Sequence, residues 1–166
     1  MVVVRRVSEE DWREVREVRL AALADSPSAF GSTLSEERAH DEDDWREWCG
    51  SSAVFVARDG EVPVGMVAGF DGASPAERRL VALWVHPDHR GAGVASALLA
   101  AVEDWARADG ADRLLLWVAD GNGTARRLYG RHGFAASGRH QTLPSDPDVD
   151  EEQLRLVLGR GAVGDR

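Results

Sequence analysis

The sequence has one cysteine and no lysine, and acidic residues outnumber basic ones. Cys49 is the single cysteine among 166 residues, so an internal disulfide is excluded. The 20 basic residues are all arginines and stand against 29 acidic residues, which gives a net charge of −9. A surface of that sign repels nucleic acid and anionic membranes. We therefore expect neither nucleic acid nor a membrane as a partner.

Long apolar runs are also missing. No stretch approaches the roughly 20 apolar residues that a bilayer-spanning helix needs. The opening "MVVVRR" has its apolar run before its charges and is too short for a signal peptide. We expect a cytoplasmic protein. The length and a hydrophobic fraction of 43% fit one domain with one core, predicted to span residues 1–166.

The sequence lacks the spacings that are typical of metal sites. The five histidines include no HExxH pattern. Asp146, Asp148 and Asp150 alternate as in a calcium-binding loop. Such a loop needs glycine at its sixth position and glutamate at its twelfth, where this chain has Glu151 and Val157. We expect no metal.

Hydrophobic periodicity predicts the element order β-α-α-β-β-β-α-β-α-β-β. Strands are predicted at 2–7, on both sides of the Asp59-Gly60 turn, and at 79–87, 112–120, 134–142 and 153–160. Helices are predicted up to about residue 24, over about 33–49, from 94 until Gly110, and over about 123–132.

A glycine-rich stretch lies between a predicted strand and a helix. Residues 90–95 read R-G-A-G-V-A, and the first amides of a helix favour an anion. The small residues Gly91, Ala92, Gly93 and Ala95 would let a pyrophosphate approach the backbone, and Arg90 could add a charged contact. An ordinary strand-to-helix turn explains the glycines equally well. A Walker loop is excluded because it requires lysine, and a Rossmann fingerprint usually opens its domain.

A second motif follows about thirty residues later. "NGTARRLYGRHGF" places Asn122 at a strand end, and Ala125 and Tyr129 on a helix before Gly133-Phe134. Together, R-x-x-G-x-A and N-x-x-A-x-x-L-Y-x-x-x-G-F resemble the GNAT family of N-acetyltransferases over residues 79–134. The resemblance implies a single α/β domain with a mixed central sheet of about seven strands and about four helices. It also implies transfer of the acetyl group of acetyl-CoA to an amine.

The resemblance implies roles for the residues that match these motifs. The amides from Arg90 through Val94 to Ala95 would hold the CoA pyrophosphate, and the backbone at Trp84-Val85 would pair with the pantetheine arm. Asn122 and Ala125 would contact the same arm. Tyr129 would protonate the departing thiolate. It is the only tyrosine, and phenylalanine would serve a core position equally well, although a packed ring with a surface hydroxyl remains the alternative.

The general base stays open at the level of sequence. Many members of the family carry a glutamate on the strand before the phosphate loop, and the matching residue here is Arg79. Glu77 lies two residues earlier and so points to the same face of the strand. Glu36, Glu37 and a water chain are the alternatives.

The acceptor amine is not named by the sequence. In the family, the acceptor is held by the segment between the first two helices and by the loop between the last two strands. In this chain these segments are residues 25–37 and 142–148. Phe30, Glu36, Glu37 and Asp146 are the predicted substrate-binding residues, facing a small-molecule or peptide amine that carries positive charge. The alternative is that the carboxylates of Glu36, Glu37 and Asp146 only keep the protein soluble.

The predicted mechanism is direct attack in a ternary complex, since Cys49 lies far from the motifs and no other covalent nucleophile is evident. A CoA-binding regulatory domain without turnover, and transfer of a different acyl group, remain alternatives. A homodimer also stays open.

Overall fold

The computed structural model describes residues 1–159, which form one mixed sheet with helices on both faces. The strands are β1 (Val2–Arg6), β2 (Ala53–Asp59), β3 (Val62–Asp71), β4 (Glu77–Val85), β5 (Arg113–Ala119), β6 (Ala135–Leu143) and β7 (Asp146–Val157). The helices are α1 (Trp12–Asp25), α2 (Leu34–Arg38), α3 (Glu42–Ser51), α4 (Val94–Ala108) and α5 (Gly123–Arg131). The α/β fold with about seven strands is confirmed, and four of these five helices have nine or more residues.

The sheet order is β1-β2-β3-β4-β5-β7-β6. All neighbouring strands are antiparallel except β4 and β5, which run parallel. That parallel pairing extends only from Glu77↔Arg113 to Arg79↔Leu115. Both strands continue beyond it, to Val85 and Ala119, so the sheet opens between them toward their carboxyl ends. We call this gap the β4–β5 opening.

Each face of the sheet has its own core. Leu98, Leu99 and Val102 of α4 are completely buried against one face. Burying each leucine stabilises the fold by about 2 kcal/mol. Val15 and Ala22 of α1 pack with other apolar residues against the opposite face. The helices α1 to α3 therefore pack on one face of the sheet at the β4–β5 opening, and α4 packs on the opposite face.

The predicted helix over 33–49 is two helices, so that prediction was wrong in one detail. Asp41 caps α3 by accepting a hydrogen bond from the Asp44 amide at 2.9 Å, and the Asp44 side chain accepts one from the Asp41 amide at 2.9 Å. This reciprocal capping starts a new helix and turns the chain after α2. The apolar period does not reveal it, because capping is a polar and local interaction.

The last strand begins earlier than predicted. It starts at Asp146 and not at residue 153, so only a two-residue turn separates β6 from β7. Backbone pairing to β5 and β6 on both sides holds this acidic segment in place, without an apolar pattern. The Ser145 hydroxyl donates a hydrogen bond to the Phe30 carbonyl at 2.7 Å and so ties this turn to the loop after α1. Among the helices described, none has the length and apolar character of a membrane span.

Candidate active site

A β-bulge interrupts β4 beside the β4–β5 opening. The register shifts between the pairs Met66↔Trp84 and Ala68↔Val81. Ala82 has a φ of 61°, the single positive φ outside glycine in residues 1–159. A left-handed backbone costs alanine about 1 kcal/mol. The bulge reverses the alternation of the strand, so Leu80 packs in the α4 core and Ala82 in the α1 core.

A cavity of about 760 Å³ lies next to this bulge. Residues from α1 to α3, from the sheet and from α5 line it: Arg19, Ala29, Phe30, Gly31, Ser32, Glu37, His40, Asp44, Trp45, Glu47, Trp48, Ser51, Arg79, Leu80, Val81, Ala82, Leu83, Trp117, Tyr129, Gln141, Pro144 and Glu151. It therefore brings together three residues that the sequence singled out, namely Tyr129, Phe30 and Glu37. A volume of this size accommodates a small-molecule ligand.

Tyr129 reaches the cavity from the last turn of α5. It is buried, and its ring packs edge-to-face on Phe134 with 5.6 Å between the ring centroids. The Phe134 amide donates to the Tyr129 carbonyl at 3.0 Å, which fixes the end of the helix. Burial raises the pKa of Tyr129 above its ordinary value. The hydroxyl therefore keeps its proton at neutral and mildly alkaline pH, as a proton donor must.

The glycine loop before α4 presents bare backbone. Gly91 and Gly93 have φ of 82° and 83°, which only glycine adopts without strain. Gly93 is the residue that precedes α4, and the first amide with a partner in the helix is that of Ala97, which donates to the Gly93 carbonyl at 3.0 Å. A Cβ at Gly93 would meet no atom within 4 Å. Residue 93 thus borders open space, and the amides of the first turn, which have no partner within the helix, form the positive end of its dipole.

Arg90 does not extend freely from this loop. Its Nη2 donates to Asp25 at 2.6 Å, and its Nε donates to the Val85 carbonyl at 2.9 Å. Asp25 also accepts a hydrogen bond from the Trp84 indole at 3.0 Å. Hydrogen bonds from Trp84, Ser26 and Arg90 lower the pKa of Asp25 to about 2. Arg90 therefore joins the glycine loop to the end of α1, a role that the sequence motif does not show.

The other matched residues lie around the β4–β5 opening. Trp84 and Val85 form the buried end of β4, beyond its last pair with β5. Asn122 caps α5, since its Oδ1 accepts a hydrogen bond from the Ala125 amide at 3.3 Å. Ala125 packs partly buried against the core. The residues predicted from the motifs thus frame the opening, although their contacts with a ligand stay predictions.

A buried ion pair forms the wall of the cavity on the α1–α3 side. Arg19 donates to both oxygens of Glu37 at 2.8 Å, and both residues are buried. The Arg19 guanidinium also stacks 4.8 Å from the centroid of the Phe30 ring. Glu37 is consequently neutralised by its partner and is not a free carboxylate. Glu36 and Asp146 lie outside the cavity lining.

Glu77 and Arg79 occupy different surroundings on the same strand. Glu77 forms an ion pair with Arg113 at 3.0 Å at the start of β4, outside the cavity lining. Arg79 lines the cavity, and its buried Nε has no hydrogen-bond partner among the residues described. The structure therefore does not bring Glu77 to Tyr129, and its role as a base stays a prediction.

Glu151 on β7 was not found by sequence reasoning. It lines the cavity and is only 6% exposed. The Gln141 side chain donates a hydrogen bond to its Oε1, and desolvation raises its pKa. In the sequence it belongs to an acidic run without a distinguishing neighbour, and only the alternation along β7 could have shown that it faces inward. Within residues 1–159, no group of three or more histidine, cysteine or acidic side chains is arranged to hold a metal.

Comparisons with known proteins place the chain in one group. Residues 15–134 match the model of the Acetyltransferase (GNAT) family. An uncharacterized N-acetyltransferase of Bacillus subtilis is 32% identical over 77 residues, covering 46% of this chain and 30% of that protein. A mycothiol acetyltransferase of Salinispora arenicola is 32% identical over 127 residues, covering 72% of this chain and 39% of that protein. The chain thus spans 30–39% of the length of these two relatives.

Solved structures agree on the fold. A structure from Salmonella typhimurium that contains acetyl-CoA as its cofactor has a TM-score of 0.79 to this chain at 21% identity. The match covers 99% of this chain and 98% of that one.

Proposed function

The chain belongs to the GNAT family of acetyltransferases, and from that premise we propose that it transfers the acetyl group of acetyl-CoA to a primary amine by direct attack in a ternary complex. The amine belongs to a small molecule or to a peptide N-terminus. The observation that carries the proposal is the meeting of Tyr129 with the bulged strand β4 in one cavity, where β4 and β5 separate.

Acetyl-CoA binds along the β4–β5 opening in this proposal. Its pyrophosphate lies against the bare amides of Val94 and Ala95 at the start of α4. Its pantetheine arm adds to the unpaired edge of β4 at Trp84 and Val85, as an added strand does. Asn122 flanks the same opening. The thioester then lies beside the bulge, within the cavity that Tyr129 lines.

Tyr129 is the proton donor in the proposed transfer. The free amine attacks the thioester carbonyl and forms the C–N bond, and the C–S bond then breaks. The departing CoA thiolate takes the Tyr129 proton, and the phenolate regains a proton from the attacking nitrogen. Cys49 is buried with a pKa raised to about 11, so it offers no thiolate for a covalent route.

Glu151 is the proton acceptor that we propose for the ammonium form of the substrate. It is the one carboxylate of the cavity lining that is both buried and free of an arginine partner in residues 1–159, because Arg19 holds Glu37. Desolvation raises its pKa toward the range in which a base works near neutral pH. Glu77, the candidate from the sequence, forms an ion pair with Arg113 and does not line this cavity.

The test is thiol release from acetyl-CoA in the presence of a panel of primary amines, with propionyl-CoA and succinyl-CoA as alternative donors. We expect one class of amine to release thiol well above the rate of spontaneous hydrolysis. Calorimetry with CoA runs beside it. CoA binding without thiol release from any donor would replace the enzyme with a CoA-binding regulatory domain. A preference for another donor would change the transferred group.

A further inference from the structure

Arg79 differs from the other arginines around it. Arg19 has Glu37 at 2.8 Å, Arg78 has Asp109 at 2.8 Å, and Arg113 has Glu77 at 3.0 Å. Arg79 lines the cavity, and the part of the chain that the structure describes supplies it with no carboxylate and leaves its Nε unpartnered. It is thus a cation of the cavity lining that has no carboxylate within ion-pair distance among residues 1–159.

An unmatched guanidinium in such a place is costly. A guanidinium carries positive charge and five N–H donors. Arg79 is half-buried, and leaving its buried Nε without a hydrogen-bond partner is unfavourable. Its planar fork matches the two oxygens of a carboxylate or of another oxyanion. A second donor is present at the same cavity, since the Nη1 of the buried Arg19 also lacks a partner. Both groups are suited to a ligand that brings negative charge.

The phosphates of CoA cannot supply the negative charge that Arg79 would bind. Arg79 is six residues from Val85 along β4, which is about 20 Å at the rise of a strand. It also faces α1 to α3, because its neighbour Arg78 faces α4 through Asp109. The glycine loop and the start of α4 therefore lie too far along the strand.

We propose that Arg79, together with Arg19 of the same cavity lining, binds an anionic group of the acceptor itself, so that the acceptor is an amine that also carries a carboxylate or another oxyanion. This inference rests on the proposed function and narrows its substrate class. Glu151 occupies another part of the cavity wall, since it pairs with Ala119 on β5 while Arg79 pairs with Leu115. The cavity thus offers negative charge to the ammonium end and positive charge to the other.

The kinetic test compares matched acceptors. Alanine, leucine and phenylalanine are each assayed as the free amino acid, the carboxamide and the 1-aminoalkylphosphonate, with 4-aminobutyrate as a longer spacing. We expect kcat/KM for the best acid or phosphonate to exceed that of its carboxamide at least tenfold. In Arg79→Gln this preference should fall by about 10- to 100-fold, and Arg79→Lys should restore part of it.

Arg155→Gln is the matched control, since Arg155 is exposed on β7 and does not line the cavity. It removes the same charge from the same sheet and should leave the preference of the wild type unchanged. An equal rate with acids and carboxamides, or a preference that survives Arg79→Gln, would overturn the inference and leave the proposed function standing.

A second measurement does not depend on turnover. The ¹⁵Nε–¹Hε signal of Arg79, assigned by its loss in Arg79→Lys, is followed while N-acetyl-leucine is added to the CoA complex. N-acetyl-leucinamide is the neutral counterpart. A shift with the acid alone supports the anion site even if no amine in the panel is acetylated, which would count against the proposed function. Equal shifts, or none, count against the anion site.

Discussion

The two halves of the proposed site are built from different parts of the chain. The half proposed for the donor, around the end of β4, the glycine loop and α5, lies mostly outside the cavity lining and consists largely of backbone: helix amides without partners in the helix, an unpaired strand edge and glycines with positive φ. The acceptor half consists of side chains from α1, α2, α3 and the β6–β7 hairpin, including a buried ion pair. Backbone geometry constrains a contiguous motif, whereas side chains that meet across the fold leave no local pattern.

One cluster joins these halves. Asp25 at the end of α1 accepts hydrogen bonds from Arg90 of the glycine loop and from the Trp84 indole of β4. The donor loop is thereby fastened to the helix that carries Arg19. Variants in each half and in this joint should therefore have separable effects.

Loss of the Tyr129 hydroxyl should have the largest effect. Tyr129→Phe keeps the ring on Phe134 and removes only the proton donor, so kcat should fall by about 10²- to 10⁴-fold. Acetyl-CoA affinity, measured by calorimetry, should change little. A kcat within twofold of the wild type, with chemistry rate-limiting, would remove Tyr129 from this role.

Glu151→Gln should lower kcat by about 10²-fold at pH 7. The wild-type kcat should rise with pH and level off above the raised pKa of Glu151, because only the carboxylate accepts a proton. In the variant, kcat should follow the free-amine fraction of the substrate and continue rising into alkaline pH. The other charged or titratable side chains of the cavity lining are kept in the variant, namely Arg19, Glu37, His40, Asp44, Glu47 and Arg79.

Two matched variants make this comparison specific. Glu152→Gln alters the neighbouring residue, which pairs with Arg126 outside the cavity lining, and should keep the pH profile of the wild type. Glu77→Gln tests the candidate from the sequence. If Glu77→Gln loses the plateau and Glu151→Gln retains it, the assignment of the base reverts to Glu77.

Gly93→Ala should weaken acetyl-CoA binding by about tenfold, equivalent to 1.4 kcal/mol. The added methyl group obstructs the approach of the pyrophosphate to the amides of α4. Gly110 is the matched position at the other end of α4, with φ of 86° and open space around it. Both variants should lose roughly 1 kcal/mol of unfolding free energy, because alanine is strained in a left-handed backbone. Gly110→Ala should bind acetyl-CoA with unchanged affinity. Equal affinity losses in calorimetry would contradict the pyrophosphate site.

Asp25→Asn should have the smallest effect, a loss of about 1 kcal/mol in the free energy of unfolding at pH 6, since its carboxylate is partly open to solvent. The pKa of Asp25 is lowered from its ordinary value of 3.8 to about 2 in the folded protein, so its contribution is complete above about pH 5. It disappears as pH falls through the folded pKa. Urea unfolding should therefore show a smaller difference between variant and wild type at pH 3. Asp104→Asn, at an exposed carboxylate on α4, should show no comparable loss.

The sequence was sufficient for the order of the strands and for the position of the glycine loop, and it singled out Tyr129, which lines the cavity and whose role stays a prediction. The apolar stripe of α4 and the continuous apolar run of β5 report burial directly, so periodicity locates both elements. Gly93 is visible because a positive φ before a helix restricts the residue type. These features depend on neighbours in sequence, or on burial on one face.

The remainder depends on contacts between distant residues. The ion pair of Arg90 could not be predicted, because its partner Asp25 lies 65 positions earlier, and its contact with a pyrophosphate stays a prediction. Glu151 becomes a cavity residue only because β7 inserts between β5 and β6. The break between α2 and α3 and the early start of β7 are set by capping and by backbone pairing, neither of which requires an apolar pattern.

In the proposed binding mode, the β4–β5 opening also links the stability of the fold to the supply of acetyl-CoA. A pantetheine arm that paired with β4 would extend the sheet, and the folded state would gain about 2.7 kcal/mol with acetyl-CoA at 100 times its Kd. Backbone amide hydrogens along the end of β4 would then exchange slowly with solvent, and proteases would find fewer open chains. The amount of intact protein would follow the acyl-CoA level of its surroundings, through mass action alone.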